Sequence, residues 1–334
     1  MLNHDLLGHP LWMWVGFFLL IGLLLLFDLG VLNRKQRAIG VAQALKLSAF
    51  YIALGLLFSL WVFHALGEQA GYQYLSGYLI EKTLSLDNIF VFVLIFTHFK
   101  VPAEYQYRVL FWGILGAIIL RGMFILIGTT LITEFEWMMY VLGAFLIYTG
   151  IKMLLAADAA PDLEHNRMIL FLSRHFRITP GYEGKRFFVR REGKLFMTPL
   201  FLVLVVIDVA DVVFAVDSIP AIFAITQDTF IVLTSNIFAI LGLRALYFAL
   251  AAIMHRFEYM KYGLSLVLVF IGGKMLINHS HAYDLIKVEY SLLFTVVVLS
   301  VSMLISLVKT KGKAPGKPEG WVPGSPPKEE KNEG

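Results

Sequence analysis

Apolar runs of about 20 residues follow one another almost from end to end of this 334-residue chain, separated mostly by short charged loops. Wound as a helix rising ~1.5 Å per residue, such a run crosses the ~30 Å of hydrocarbon in a bilayer. In lipid every backbone N–H and C=O must be satisfied within the protein, which leaves helical bundles and closed barrels, and runs of this length belong to helices. Hydrophobic residues make up 58% of the chain and charged residues 16%, against roughly 45–50% and about 25% in soluble domains. The expected fold is all-α and polytopic, with a single membrane domain over 1–308.

About nine spans are expected, over 11–33, 44–66, 74–98, 107–131, 137–156, 198–226, 230–253, 259–278 and 285–308. The first lacks a basic stretch before it and a small-residue cleavage pattern, so it reads as a retained span. Lys and Arg gather after every second span: Arg34 to Lys46, Lys100 with Arg108, Arg167 to Lys194, Arg256 with Lys261, and Lys309 to Lys313. The loops between carry Glu68, Glu134 and Asp228 instead. By the positive-inside rule the N-terminus is outside and the C-terminus cytoplasmic. The formal charge of +4 is thus a topology signal, and no nucleic-acid partner is expected. The tail 309–334, rich in Gly, Pro and charge, is expected to be disordered cytoplasmic chain. The basic cytoplasmic loop 157–197, with a hairpin expected to turn at Glu192 and Gly193, is a candidate docking site for a protein partner.

A weak internal repeat links two triplets of spans, about 74–156 and 198–278. Gly150-Ile151-Lys152-Met153-Leu154 is echoed by Gly272-Gly273-Lys274-Met275-Leu276, and Glu81, Asp87 and Asn88 match Asp211, Asp217 and Ser218. Arg121 roughly matches Arg244. A unit with an odd number of spans re-enters the membrane from the opposite side in its second copy, the inverted-repeat plan of many secondary transporters.

Glu81, Asp87, Asp208, Asp211 and Asp217 all fall well inside expected spans. At roughly 2.5–3.5 kcal/mol each on the insertion scale, such groups must be paired, protonated or turned to a protein-lined interior. Arg121 and Arg244 are the internal cations weighed against them, and the surplus of acids calls for a further cation. Asp208 and Asp211 share a helix face, whereas Asp211 and Asp217 do not unless the helix breaks; Pro220 is a candidate for that break and for freeing the carbonyl of Val216. Carboxylates with Asn88 and Ser218 form an all-oxygen set that suits Mn²⁺, Mg²⁺ or Ca²⁺. Asp28, near the cytoplasmic end of the first span, is a candidate guide for ions. The chain has no Cys, which closes thiolate ligation and thiol redox chemistry to it, and no cofactor or enzymatic activity is expected.

These residues carry a resemblance to a known family. Gly77 to Lys82 with Asp87-Asn88, Asp208 to Pro220, and Leu233-Thr234-Ser235-Asn236 through Leu241-Gly242-Leu243-Arg244 resemble the TerC/Alx family of bacterial inner-membrane proteins, which is linked to tellurite resistance, alkaline response and manganese export. The resemblance implies manganese efflux across the inner membrane, with the five acids in the family's acidic positions. It also leaves two other roles open: a membrane factor that assists metal delivery to, or insertion of, exported proteins, and a tellurite-resistance or redox modulator.

Overall fold

The structure is a computed structural model that describes residues 5–32, 41–135, 137–155, 178–191, 193–251, 257, 259–280 and 286–310. The tail 311–334 and the loop segment 156–177 lie outside the described residues. The helices are α1 (Leu11–Leu32), α2 (Val41–Leu66), α3 (Glu68–His98), α4 (Ala103–Glu134), α5 (Met138–Leu155), α6 (Pro199–Phe223), α7 (Thr229–Leu241), α8 (Leu243–Leu250), α9 (Met260–Ser280) and α10 (Val288–Lys309). Among the described residues the strands form two small antiparallel hairpins, β1–β2 (Asp5–Leu6, His9–Pro10) and β3–β4 (Phe188–Arg191, Lys194–Met197). The second is the expected hairpin. Gly193 supplies its positive φ of 76°, which a residue with a Cβ rarely adopts.

The protein is all-α and polytopic. Among the described residues eight helices are long and apolar enough to cross a membrane, α7 and α8 counting as one. The expected ninth, 74–98, forms the greater part of α3, which is 31 residues long. It falls short on composition because Glu81, Lys82 and Asp87 lie along it. It is instead covered by neighbours, packing against α2, α6, α7 and α10. Leu19, Leu26, Leu57, Leu60 and Leu293, each more than 60% exposed, lie on α1, α2 and α10, the outward apolar surface a lipid-facing helix requires.

The expected span 230–253 is divided at Gly242 into α7 and α8. A Cβ at Gly242 would stand 2.9 Å from Cβ of Tyr51 and 3.2 Å from Nζ of Lys82. The glycine therefore admits α2 and α3 to the break. A second close approach joins α5 to α9, which pack along much of their length. A Cβ on Gly272 would meet the carbonyl oxygen of Gly143 at 2.7 Å, whereas one on Gly273 meets nothing within 4 Å. Small residues at such crossings are how membrane helices gain packing without a hydrophobic drive. Gly272→Val is accordingly expected to destabilise the protein by about 1–3 kcal/mol through overpacking, with Gly273→Val near neutral. Thermal unfolding of the two variants in detergent checks this.

Packing between the triplets α3-α4-α5 and α6-(α7, α8)-α9 is reciprocal. α3 lies on α7 as α6 lies on α4, while α3 with α6, α4 with α7, and α5 with α9 each meet their counterpart. These pairings are unchanged when the triplets are exchanged. At one end of the bundle, His9 of β2 binds Asp228 at the start of α7, with Nε2 2.8 Å from Oδ2. At the other, the Tyr182 hydroxyl donates to the carbonyl of Phe99 at 2.7 Å.

Candidate functional site

Two apolar cores divide the bundle. One is built from the first half of α3, the second half of α4, the end of α6, α7 and parts of α1 and α9. The other takes the second half of α3, the first half of α4, the start of α6 and α8. Between them, mid-helix on α3, α4 and α6, lies a layer of buried charge: Glu81, Arg121 and Asp211 are 0%, 1% and 2% exposed.

Helical spacing assembles this layer. Residues seven apart lie two turns along one face, so Glu81 and Asn88 of α3 share a stripe, as do Asp211 and Ser218 of α6. α4 lays Arg121 between the two. Its Nε donates to Asp211 Oδ2 at 2.9 Å and its Nη2 to Asp211 Oδ1 at 2.8 Å. Its Nη1 pairs with Glu81 Oε1 and lies 3.4 Å from both Ser218 Oγ and Asn236 Oδ1. The planar fork of a guanidinium is what allows one side chain to grip one acid bidentately and reach a second. Asn88 Nδ2 donates to Asp211 Oδ1 at 3.5 Å, and Asn236 Nδ2 to Glu81 Oε2 at 3.2 Å.

The structure thus brings together Glu81, Asn88, Arg121, Asp211 and Ser218, and separates the rest. Asp208, one turn before Asp211, faces the Gly113 and Gly116 side of α4. Asp217 turns to α5, where Thr149 Oγ1 lies 3.3 Å from its Oδ1. No break at Pro220 swings it back, because α6 stays helical through Pro220 to Phe223. Six residues is a rotation of about 120° off the face on an unbroken helix, so Ser218 takes the place expected of Asp217. Asp87 lies in α3, but its side chain is outside the described residues. Among the described residues no three acidic or imidazole groups stand together as a metal cage; the convergence is of two acids on one arginine.

Arg244 does not serve the acids of α3 and α6. From α8 it forms an ion pair with Asp28 of α1, both buried. Its guanidinium carbon lies 4.2 Å over the ring of Tyr107 and 5.5 Å from that of Phe111. Asp28 is therefore tied to α8, at 5% exposure. Two polar residues of the layer are missed by the charge balance drawn from sequence, although Lys82 carries the same signal as Glu81, a charge inside the expected span 74–98. Asn236 bridges both partners of the Arg121–Glu81 pair, and Lys82, next to Glu81, donates from Nζ to the carbonyl of Ala239 at 2.9 Å. The clue to Asn236 is an amide in the midst of the apolar run 230–241.

Two buried acceptor atoms flank Asp211 without a hydrogen-bond partner among the described residues: Asn88 Oδ1 and Asp208 Oδ1. Buried polar atoms are normally satisfied, so Asn88 Oδ1 is an open acceptor beside Asp211, and Asp208 Oδ1 is a second, one turn earlier on α6 and on the Gly113–Gly116 side of α4.

A multi-span helical membrane protein with a charged, lipid-shielded interior is the class that fold and site define. Comparison with known proteins narrows it. The model of the TerC integral membrane protein family matches residues 66–314, and the chain belongs to that family. It is 44% identical over 296 residues to an uncharacterised membrane protein of Rickettsia felis, covering 89% of this chain and 97% of that one. It is 48% identical over 282 residues to a Salmonella typhi protein provisionally named membrane-bound redox modulator Alx, covering 82% and 87%. The Alx of Photorhabdus laumondii is 44% identical over 316 residues, covering 92% and 98%. No solved structure matches.

Proposed function

We propose that the chain exports a hard divalent cation across the bacterial inner membrane, and that the cation is Mn²⁺. The observation that carries this reading is the pair Glu81 and Asp211, matched positions of the two triplets, buried mid-helix on one arginine beside the unpartnered oxygens of Asn88 and Asp208. Oxygen donors alone favour Mn²⁺, Mg²⁺ or Ca²⁺, and the family resemblance selects manganese. Arg121 is the resident cation of the pair, so an entering ion competes with it for the same carboxylates. Deprotonated acids bind metal and protonated ones release it, which makes exchange against protons the natural source of energy.

The triplets are read as an inverted repeat, one copy over 74–156 and the other over 198–278, rocking against each other around the midplane acids. The reciprocal packing of α3 on α7 and α6 on α4 supports this. An external N-terminus and a cytoplasmic 157–197 loop are supported by sidedness: the β3–β4 region meets the α3–α4 turn, both basic, while the N-terminal hairpin meets the acidic α6–α7 turn. The basic hairpin, with Arg190 and Lys194 exposed, is the place where a protein partner would dock. The redox role in the Alx relatives' name is closed to thiol chemistry in this chain, which has no Cys.

Elemental analysis of cells grown in added manganese tests the reading. Cells making the wild-type chain are expected to hold less manganese than cells lacking it, and Asp211→Asn, present in the membrane at equal abundance, is expected to restore the higher level. Equal manganese in wild-type and variant cells would contradict export.

A further inference from the structure

A cavity of about 620 Å³ opens between the second half of α1 and the first turns of α4, with Lys185 at its rim. That volume is in the range of roughly 300–1,000 Å³ typical of small-molecule sites. Gly22 and Leu26 form one wall, Phe111 and Trp112 the other, and Glu104, Arg108 and Lys185 share the mouth. The walls continue into open apolar surface: Leu26 is 65% exposed and Trp112 44%. The site is thus a groove with an apolar floor and a mouth of two cations and one carboxylate.

Arg108 is placed for a ligand. Its guanidinium is held 5.0 Å over the ring of Phe187, while its Nε is buried with no hydrogen-bond partner among the described residues. Glu104, the one acid of the mouth, is exposed and Lys185 half-buried, so the positive groups are the better shielded from water. An excess of one positive charge over a channel lined by aliphatic and aromatic side chains complements a molecule with one negative charge and a long apolar chain. Basic pockets between membrane helices recognise anionic head groups in this way.

We propose that this groove is a binding site for an anionic phospholipid, its phosphodiester between Arg108 and Lys185 and an acyl chain between α1 and α4. The proposal does not depend on what the protein transports. A zwitterionic head group would bring an ammonium to the same two cations, so phosphatidylglycerol is favoured over phosphatidylethanolamine. Bound lipid also bears on the interior. Tyr107 lines the groove, lies under Arg244 and donates to the carbonyl of Asp28 at 3.1 Å, so the lipid braces the Asp28–Arg244 pair from outside.

Native mass spectrometry of the purified full chain titrated with phosphatidylglycerol tests the site. Two variants report on it: Arg108→Gln with Lys185→Gln removes the charges, and Gly22→Phe fills the groove from a position where a Cβ meets nothing within 4 Å. The wild type is expected to retain one phosphatidylglycerol and to gain thermal stability from it. Both variants are expected to lose affinity by about tenfold or more, equivalent to ~1.4 kcal/mol, and phosphatidylethanolamine to bind the wild type correspondingly weakly. Wild-type retention in both variants, equal retention of phosphatidylethanolamine, or displacement of the lipid by inorganic phosphate would each overturn the proposal.

Discussion

Replacing Arg121 with Met is expected to destabilise the protein by about 3–5 kcal/mol, because it leaves Glu81 and Asp211 buried and ionised with no counter-charge. The two acids are 0% and 2% exposed, so water cannot take the place of the lost guanidinium. The loss should be recoverable. Converting the whole triad to neutral groups, as Glu81→Gln, Arg121→Met and Asp211→Asn together, removes the unpaired charges along with the pairing, and such swaps are often close to neutral. Stability within about 2 kcal/mol of wild type is therefore expected for the triple variant. The unfolding midpoint in detergent, with the single, double and triple variants compared as a thermodynamic cycle, measures it. A triple variant as unstable as Arg121→Met would show that the arginine acts by packing and not by charge.

Much of this triad is legible in the sequence. Charged residues inside apolar runs are costly enough to be noticed singly, and the match of Glu81 and Asn88 to Asp211 and Ser218 marks the two stripes that meet. The seven-residue spacing within each match is enough to set the geometry on unbroken helices. The expectation that Asp217 joins its neighbours fails on the same arithmetic. It required a break at Pro220, yet a proline three residues before the last helical position lacks only one donor, to the carbonyl of Val216, and the turn closes beyond it with the Ala224 N–H on the Pro220 carbonyl. A proline removes a hydrogen bond; whether the helix also breaks is decided by what surrounds it.

The destination of Arg244 is not legible. Its charge and depth resemble those of Arg121, and the repeat pairs them. What distinguishes them in the fold is the interruption of the helix at Gly242, just before Arg244, and the packing of α8 against α2. Neither leaves a periodic trace in the sequence. Asn236 is not legible for a different reason: a neutral amide in an apolar run carries no charge to balance, and only the fold brings it between Arg121 and Glu81. The converging site is accordingly smaller than the sequence suggests. One arginine is committed to Asp28, Asp217 has moved to α5, and the layer is two acids around one guanidinium with spare oxygens beside it.

That smaller site makes a sharper claim, namely that Glu81 and Asp211 are the groups a transported ion meets. The neutral triad isolates it, since its expected stability separates loss of the site from loss of the fold. Manganese uptake into inside-out membrane vesicles is the direct measurement. Vesicles holding the wild-type chain are expected to accumulate manganese, and vesicles holding the same amount of folded Glu81→Gln, Arg121→Met, Asp211→Asn protein to show only the leak of vesicles without it. Uptake by the triple variant at the wild-type rate would contradict the account.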